Sequence, residues 1–285
     1  MLSGFTIVRD AVRLDFPIVP AIRSLLDVCD EVVVNVGRSE DGTRDLVASI
    51  ADPRVRILDA EWDMSQRNLV LAAETMRAMA ACRGSWGIYV QADEVLHEDG
   101  ARILKESVAE WDGDDRVEGL LVKYLHFYGG FDVVAANRRW YRREVRCVRL
   151  GRDIRSHRDA QGFRVGPELR RIRARRTDAV MFHYGWARPA RAIDEKRRAD
   201  LALYPWRGAE GDARGRPLDW IPLLRRYAGP HPAAAAAWMA ERTCDPGRAV
   251  GPRRLRPGHL RLYLSDVIER LTGARLFEYR NYELV

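Results

Sequence analysis

The first 125 residues switch repeatedly between short apolar runs and segments with helical periodicity, and this alternation leaves few architectures open. "GFTIV" (4–8), "EVVVNV" (31–36), "RVRIL" (54–58) and "WGIYV" (86–90) are runs of strand length. Between them, "PIVPAIRSLLDVC" carries Ile18, Ile22, Leu25 and Leu26 on one helical face, and Thr43 to Ile50 reads as a short helix. Ser65 to Ala81 reads as a longer helix, with Ser65 as N-cap and Leu69, Ala72, Ala73, Met76 and Ala80 as its apolar stripe. A helix over Ala101–Ala109 and a strand over Val117–Tyr124 follow. The unbroken β-branched run at 31–36 suits a strand buried on both faces. The pattern predicts an α/β fold, with a mainly parallel sheet flanked by helices.

Open sheets of this kind bind ligands outside the carboxyl ends of their strands. Arg9–Asp10, Gly37–Asp41, Asp59–Asp63 and Gln91–Glu94 all fall at such ends. A site is therefore expected where these four clusters converge.

Beyond residue 125 the pattern loosens. Residues 126–180 mix aromatics with Arg and read as irregular. Pro189 suits position N1 of a helix running to about Leu203. A Gly- and charge-rich loop is expected over 206–217, then helical segments near 218–227, 232–241 and 259–272. The expected organisation is 1–125, a continuation over 126–205, and a mostly helical C-terminal region over 206–285.

Composition narrows the function classes. No apolar run reaches 18 residues, so no spanning helix is expected. The opening "MLSGFTIVRDAVRLD" lacks the charged and apolar regions of a signal peptide. The Cys residues at 29, 82, 147 and 244 form no CxxC pair, which suits free thiols in the cytoplasm. Lys occurs only at 105, 123 and 196, and this Arg bias together with the Ala-rich stretches reads as the codon usage of a GC-rich bacterial genome. Arg distribution says more than Arg abundance. From Arg138 to Arg176 there are fifteen Arg against four acids, a stripe suited to a diphosphate, an anionic acceptor or a membrane surface touched peripherally. No RNP, KH or helix-turn-helix pattern accompanies it, so nucleic acid is not an expected partner. A homodimer is compatible with the chain.

Three stretches carry chemistry. In "VNVGRSEDGTRDL" (34–46) a buried strand ends in a turn whose Asp41, backbone amides and following helix start can receive polar ligand groups. In "EWDMSQRNLVLAAE" (61–74), Arg67 sits where a helix dipole disfavours it, so a phosphate or a neighbouring acid would explain it. In "YVQADEVLHED" (89–99), Asp93 is the natural hard-oxygen ligand for Mg²⁺ or Mn²⁺, with Glu94 beside it. Alone, that acidic run could equally cap a helix starting near Gly100.

Taken in order and spacing, "VGRSEDGT", "MSQRN" and "QADE" resemble the N-terminal half of family-two glycosyltransferases with the GT-A fold. The resemblance spans about residues 3–125, and a looser likeness continues through "YLHFYGG", "RRWYRR", "RDAQGF" and "HYGWAR" to near residue 200. It implies a GT-A-like sheet and a metal-assisted glycosyltransferase acting on a nucleotide-sugar donor and a small-molecule or glycan acceptor. It puts Val8, Arg9, Asp41, Arg67, Gln91, Ala92 and Lys196 on the donor side, with Asp93 and His183 as ligands for Mg²⁺ or Mn²⁺. Where the family usually has the first carboxylate of its DxD motif, this chain has Gln91, which hydrogen-bonds but brings no charge. An inverting transfer also needs a base beside the acceptor. Asp159 in "SHRDAQGF" is the first choice for it, with His126 and Glu94 as alternatives. Two other readings stay open. A nucleotidyltransferase would show a "GxGxR" loop after the first strand, and "VRDAVRLD" lacks it. A catalytically degenerate GT-A-like protein that only binds a sugar nucleotide or other anion is prompted by Gln91 and the Arg stripe.

Overall fold

A computed structural model describes residues 1–204, 220–244 and 256–285. Four parallel strands open the sheet: β1 (Leu2–Val8), β2 (Glu31–Gly37), β3 (Val55–Ala60) and β4 (Trp86–Tyr89), in the order β3-β2-β1-β4. Every residue of β1, β2 and β4 is buried, as their near-continuous apolar runs require. Helix α1 (Ile18–Leu26) lays Ile18, Ile22 and Leu25 against this sheet, where Gly4 lets Leu25 come close. Helix α2 (Thr43–Ala48) starts after Gly42, whose φ of +80° only glycine adopts at little cost.

The third helix departs from expectation. The Asp63 carboxylate accepts from the Ser65 backbone N–H and shapes a 3-10 turn at Met64–Gln66. Arg67 then takes a φ of +54°, so the chain restarts as α3 only at Leu69–Ala80. Its buried face is Val70, Ala72, Glu74, Thr75, Ala78 and Met79; of the expected stripe Ala72 is buried, whereas Leu69, Ala73 and Ala80 are exposed. Ser65 is therefore not the N-cap, and Arg67 lies outside the helix.

The expected helix and strand after residue 100 are present, whereas residues 126–180 are far more regular than expected. After β5 (Glu94–Leu96) and α4 (Glu98–Trp111) come β6 (Gly119–Tyr128), β7 (Val133–Ala135) and β8 (Arg143–Arg149). Next are β9 (Ile154–His157), β10 (Gly162–Val165) and the long β11 (Arg170–Trp186). The sheet continues as β4-β8-β6-β11-β10-β9; β6 and β11 pair in parallel, and the other contacts of this half are antiparallel. The segment 126–180 hid its strands because Arg occupies positions where alternation would show an apolar residue. Those Arg residues find partners: Arg170 and Arg173 both meet Glu118, Arg152 meets Asp115, and Arg175 lies over Trp111 at 4.3 Å.

Helix α5 (Ala190–Leu203) follows Pro189, which serves as its N-cap rather than N1. The loop expected at 206–217 lies outside the described residues. The helix expected near 218–227 is replaced, over its described part, by the short strand β12 (Leu224–Arg226), paired with β7. Helices α6 (Ala236–Ala240) and α7 (Pro257–Thr272) match the other two expected segments, and β13 (Tyr282–Leu284) adds to the start of β11. Among the described residues no helix is long and apolar enough to cross a membrane.

One buried ion pair ties the parallel half of the sheet to the rest. Arg146 on β8 is wholly enclosed and grips Glu94 in two-pronged fashion, Nη2 to Oε1 at 2.9 Å and Nε to Oε2 at 3.1 Å. Glu94 also accepts from Tyr124 Oη at 2.8 Å and from the Gln91 backbone N–H at 3.0 Å. The guanidinium lies about midway between the rings of Tyr89 and Tyr124, 5.4 and 5.3 Å from their centroids. Arg146→Met leaves Glu94 charged and buried without its partner, so stability should fall by about 3–5 kcal/mol in urea denaturation. Adding Glu94→Gln should return part of that loss. A single-variant cost below about 1 kcal/mol, the range of an exposed pair, would deny the tie this role.

Candidate functional site

Three of the four strand-end clusters, through Arg9–Asp10, Arg38–Asp41 and Glu61–Trp62, line one cavity, while Gln91–Glu94 lies outside its lining. "YVQADEVLHED" divides into two parts. Glu98 and Asp99 lie in the first turn of α4, where acids suit the dipole, with His97 as N-cap. Gln91 to Glu94 form a turn closed by Glu94 N–H donating to the Gln91 carbonyl at 3.0 Å. Ala92 and Asp93 are buried in it, and β11 runs beside it with Tyr184 N–H donating to the Asp93 carbonyl.

The Asp93 carboxylate faces side chains from β11 and α5. Lys196 Nζ on α5 lies 2.8 Å from Oδ2, and His183 Nε2 lies 3.5 Å from the same oxygen. Burial alone would raise the Asp93 pKa, but Lys196, His183 and Arg188 hold it well below the usual carboxylate range. Arg188 is itself buried over the Phe16 ring and donates to the carbonyls of Leu14 and Gly185. Lys196 passes near the Phe16 and Trp186 rings on its way to Asp93.

His126 does not face the site as a base would. It is buried behind His183, with Nε2 2.8 Å from the Tyr141 carbonyl and Nδ1 3.2 Å from His183 Nδ1. Burial, aided by His183, pushes its pKa well below that of a free imidazole, so the ring is neutral. A carbonyl can only accept, so the single proton of His126 sits on Nε2. Its Nδ1 must then accept from His183 Nδ1–H. That puts a proton on His183 Nδ1 and turns its Nε2 toward Asp93. The base role expected for His126 gives way to one of positioning. Glu94 is likewise no base, being locked on Arg146.

His183 Nε2 and Asp93 Oδ2 face each other at 3.5 Å, a pair that can share a proton or a cation. Gly185 leaves room there: a Cβ at that position would come to 2.5 Å from His183 Nε2 and 2.7 Å from Asp93 Oδ2. Among the described residues no group of three or more His, Cys, Asp or Glu forms a metal cluster. An ion held here would have one carboxylate and one imidazole from the protein and would keep most of its shell for water and ligand oxygens.

Gln91 is no ligand in this arrangement. Its Nε2 donates to the Ala160 carbonyl at 3.2 Å, across from the turn joining β9 to β10. An Asp carboxylate cannot donate, so this bond needs an amide at position 91. In that turn Arg158 and Ala160 take φ of +57° and +58° on either side of Asp159. Left-handed backbone at two non-glycine residues is costly and needs fixing from outside. Gln91 fixes one side, and Arg146 Nη1 fixes the other by donating to the Gln161 carbonyl at 2.5 Å. Asp159 lines a cavity of about 520 Å³ together with Tyr141, Gln161 and Asn68.

A second cavity, of about 600 Å³, lies at the ends of β1 and β2 and is lined by Arg9, Asp10, Asp41 and Trp62. Val8 is buried just below it. Asp41 spends its oxygens on the turn, accepting from Arg13 N–H at 2.7 Å and from Thr43 Oγ1 at 2.5 Å. These bonds and that of Thr43 N–H outweigh burial and lower its pKa. Arg67 is exposed and lines neither cavity. Sequence reasoning missed Arg146, Arg188, Tyr141 and Gly185. Only Arg188, next to the Pro before α5, carried a local cue.

No family model matches the chain, and no curated protein does. Among solved structures, S. aureus TarS residues 1–349 overlap it at 15% identity over 44% of this chain and 35% of that one, with a TM-score of 0.34. The same TarS fragment with UDP gives 19% identity, coverage of 44% and 36%, and a TM-score of 0.35. With UDP-GlcNAc the values are 18%, 44% and 35%, and 0.36. This chain thus spans about a third of the length of those structures, and the site described above stands on its own residues.

Two outcomes follow from this geometry. His126→Phe should release the His183 ring, seen as a shift of its Nδ1 ¹⁵N resonance, whereas His126→Asn, which keeps an acceptor, should preserve it. Gln91→Leu should speed amide exchange across 158–161 roughly fivefold, the equivalent of about 1 kcal/mol for one hydrogen bond, while the strands stay protected.

Proposed function

We propose that the protein transfers a sugar from a nucleotide-sugar donor to an acceptor hydroxyl, on a GT-A-like scaffold. The observation that carries this reading is Asp93 at the end of β4, faced by His183 on β11 and Lys196 on α5, beside a turn that presents Asp159. Each comes from a different element, and a purely structural acid has no need of all three. The nucleotide would lie across the ends of β1 and β2, in the cavity lined by Arg9, Asp41 and Trp62.

In this mechanism the diphosphate is the leaving group, and Lys196 is the side chain that meets its developing charge. Asp93 and His183 Nε2 would hold Mg²⁺ or Mn²⁺, which supplies Lewis-acid stabilisation of the diphosphate when bound. Arg188 keeps Asp93 ionised from below. The acceptor hydroxyl loses its proton to Asp159 as its oxygen attacks the anomeric carbon, and the bond from that carbon to the diphosphate breaks. His126 keeps the His183 lone pair aimed at the ion, and Gln91 keeps the Asp159 turn in place.

A second reading has a specific observation behind it. The Lys196–Asp93 pair already satisfies the carboxylate at 2.8 Å, as it would in a scaffold that binds a sugar nucleotide without metal or transfer. A thermal-shift screen of UDP-, GDP-, ADP- and dTDP-sugars with and without Mn²⁺ separates the two. For the transferase, one donor should raise Tm, Mn²⁺ should add to the rise, and nucleoside diphosphate should be released in the presence of acceptor. Asp93→Ala should lose the Mn²⁺ increment and at least a hundredfold in turnover, about 2.7 kcal/mol of the barrier. Donor binding that ignores Mn²⁺, with no release of diphosphate from any acceptor tried, would favour the binding scaffold.

A further inference from the structure

Most of the Arg stripe between 138 and 176 is consumed by the fold. Arg142 meets Glu269 and Glu278, Arg146 meets Glu94, Arg149 donates to carbonyls before β6, and Arg170 and Arg173 meet Glu118. Arg138, Arg139 and Arg158 differ. None of them makes an ion pair among the described residues, and all three line the 520 Å³ cavity that holds Asp159. Arg138 is laid over the Phe277 ring at 5.0 Å, which holds a guanidinium without neutralising it.

The acids of the cavity do not cancel this charge. Glu278 is bound by Arg142 at 2.7 Å and Arg280 at 3.0 Å; these guanidiniums overcome its partial burial and lower its pKa. Asp159 remains, and it is the group assigned the acceptor proton. The cavity also abuts the donor side. Tyr141 lines it while its carbonyl holds His126, and the Ala160 carbonyl next to Asp159 is held by Gln91.

We infer that this cavity is the acceptor site and that the acceptor carries a phosphoryl group, bound by Arg138, Arg139 and Arg158 while its hydroxyl approaches Asp159. The assignment rests on the transferase reading for the role of acceptor, but the anion site itself does not. Guanidinium forks match the tetrahedral oxygens of a phosphate and bind them in pairs, and three unneutralised ones favour a dianion over a monoanion. The volume lies within the range of small-molecule pockets, so the occupant is a sugar-sized phosphomonoester with a free hydroxyl.

The test is equilibrium binding to the full chain by calorimetry, with glucose 6-phosphate, glucuronic acid and glucose as probes, in the absence of donor. Glucose 6-phosphate should bind, glucuronic acid at least tenfold more weakly, and glucose not measurably. Arg138→Gln/Arg158→Gln should weaken glucose 6-phosphate at least tenfold while leaving the nucleotide-induced Tm shift unchanged, and the conservative Arg138→Lys/Arg158→Lys should lose less. Lys196→Gln, on the donor side, should leave glucose 6-phosphate binding unaltered. Equal binding of glucuronic acid overturns the phosphoryl assignment. Binding unmoved by the Arg138/Arg158 variants, or weakened by Lys196→Gln instead, overturns the site. If the phosphate binds here but no nucleotide binds anywhere, the transferase reading fails and the anion site stands.

Discussion

The fold depends on Glu94 holding Arg146 in a place that water does not reach. The pair bridges the turn after β4 to β8, on the far side of the junction where the sheet passes from parallel to antiparallel. Charges this deeply enclosed are costly unless every donor and acceptor is met. Here the carboxylate takes four bonds, two from Arg146 and one each from Tyr124 and the Gln91 backbone, and the guanidinium extends a further bond to Gln161. The consequence is positional. The same two side chains fix the turn that carries Asp93 and one end of the turn that carries Asp159, so the two halves of the site share one anchor.

That anchor explains why the polar residues around "QADE" are so unequal in role. Neighbouring carboxylates at 93 and 94 point into different environments, because successive residues at the start of a strand face opposite ways. Glu94 goes to the core and Asp93 to His183 on β11 and Lys196 on α5. Gln91, two positions earlier, reaches neither. Its amide spans to the Ala160 carbonyl, a bond that needs a donor and that a carboxylate would repel. The amide at this position is thus a strut, and it supports a turn with two left-handed residues.

The first half of the fold was legible because its strands are apolar and its helices periodic; Val32 to Val36 cannot be anything but buried. What failed there was local. Leu69 looked like the start of an apolar face, but Asp63 and the left-handed Arg67 delay the helix, and the buried stripe keeps Ala72 while adding Val70, Thr75 and Ala78. The second half was opaque for a different reason. Strands β8 to β11 carry Arg at many positions, and an Arg on a strand reads as a surface residue until its partner is known. Glu94, Glu118, Glu269 and Glu278 lie far away in sequence, so no local pattern could reveal that those Arg residues are enclosed or paired. The site was legible to the same degree: Asp93, His183 and Lys196 do come together, while the burial of His126 and the separation of Arg67 depend on long-range packing.

The site also contains an internal competition that follows from charge alone. Lys196 and His183 both meet Asp93 at Oδ2, and the ammonium supplies the positive charge on that oxygen. On the proposed transferase reading, an arriving diphosphate would offer Lys196 a second anion, and Lys196 cannot serve both at full strength. Whatever drew it away would leave Asp93 and His183 facing each other across the gap that Gly185 keeps open, where a divalent ion would be a partner for both. Nucleotide and metal would then favour each other's binding by linkage. On that reading, a lysine in that place would make affinity for the ion conditional on the presence of the ligand it serves.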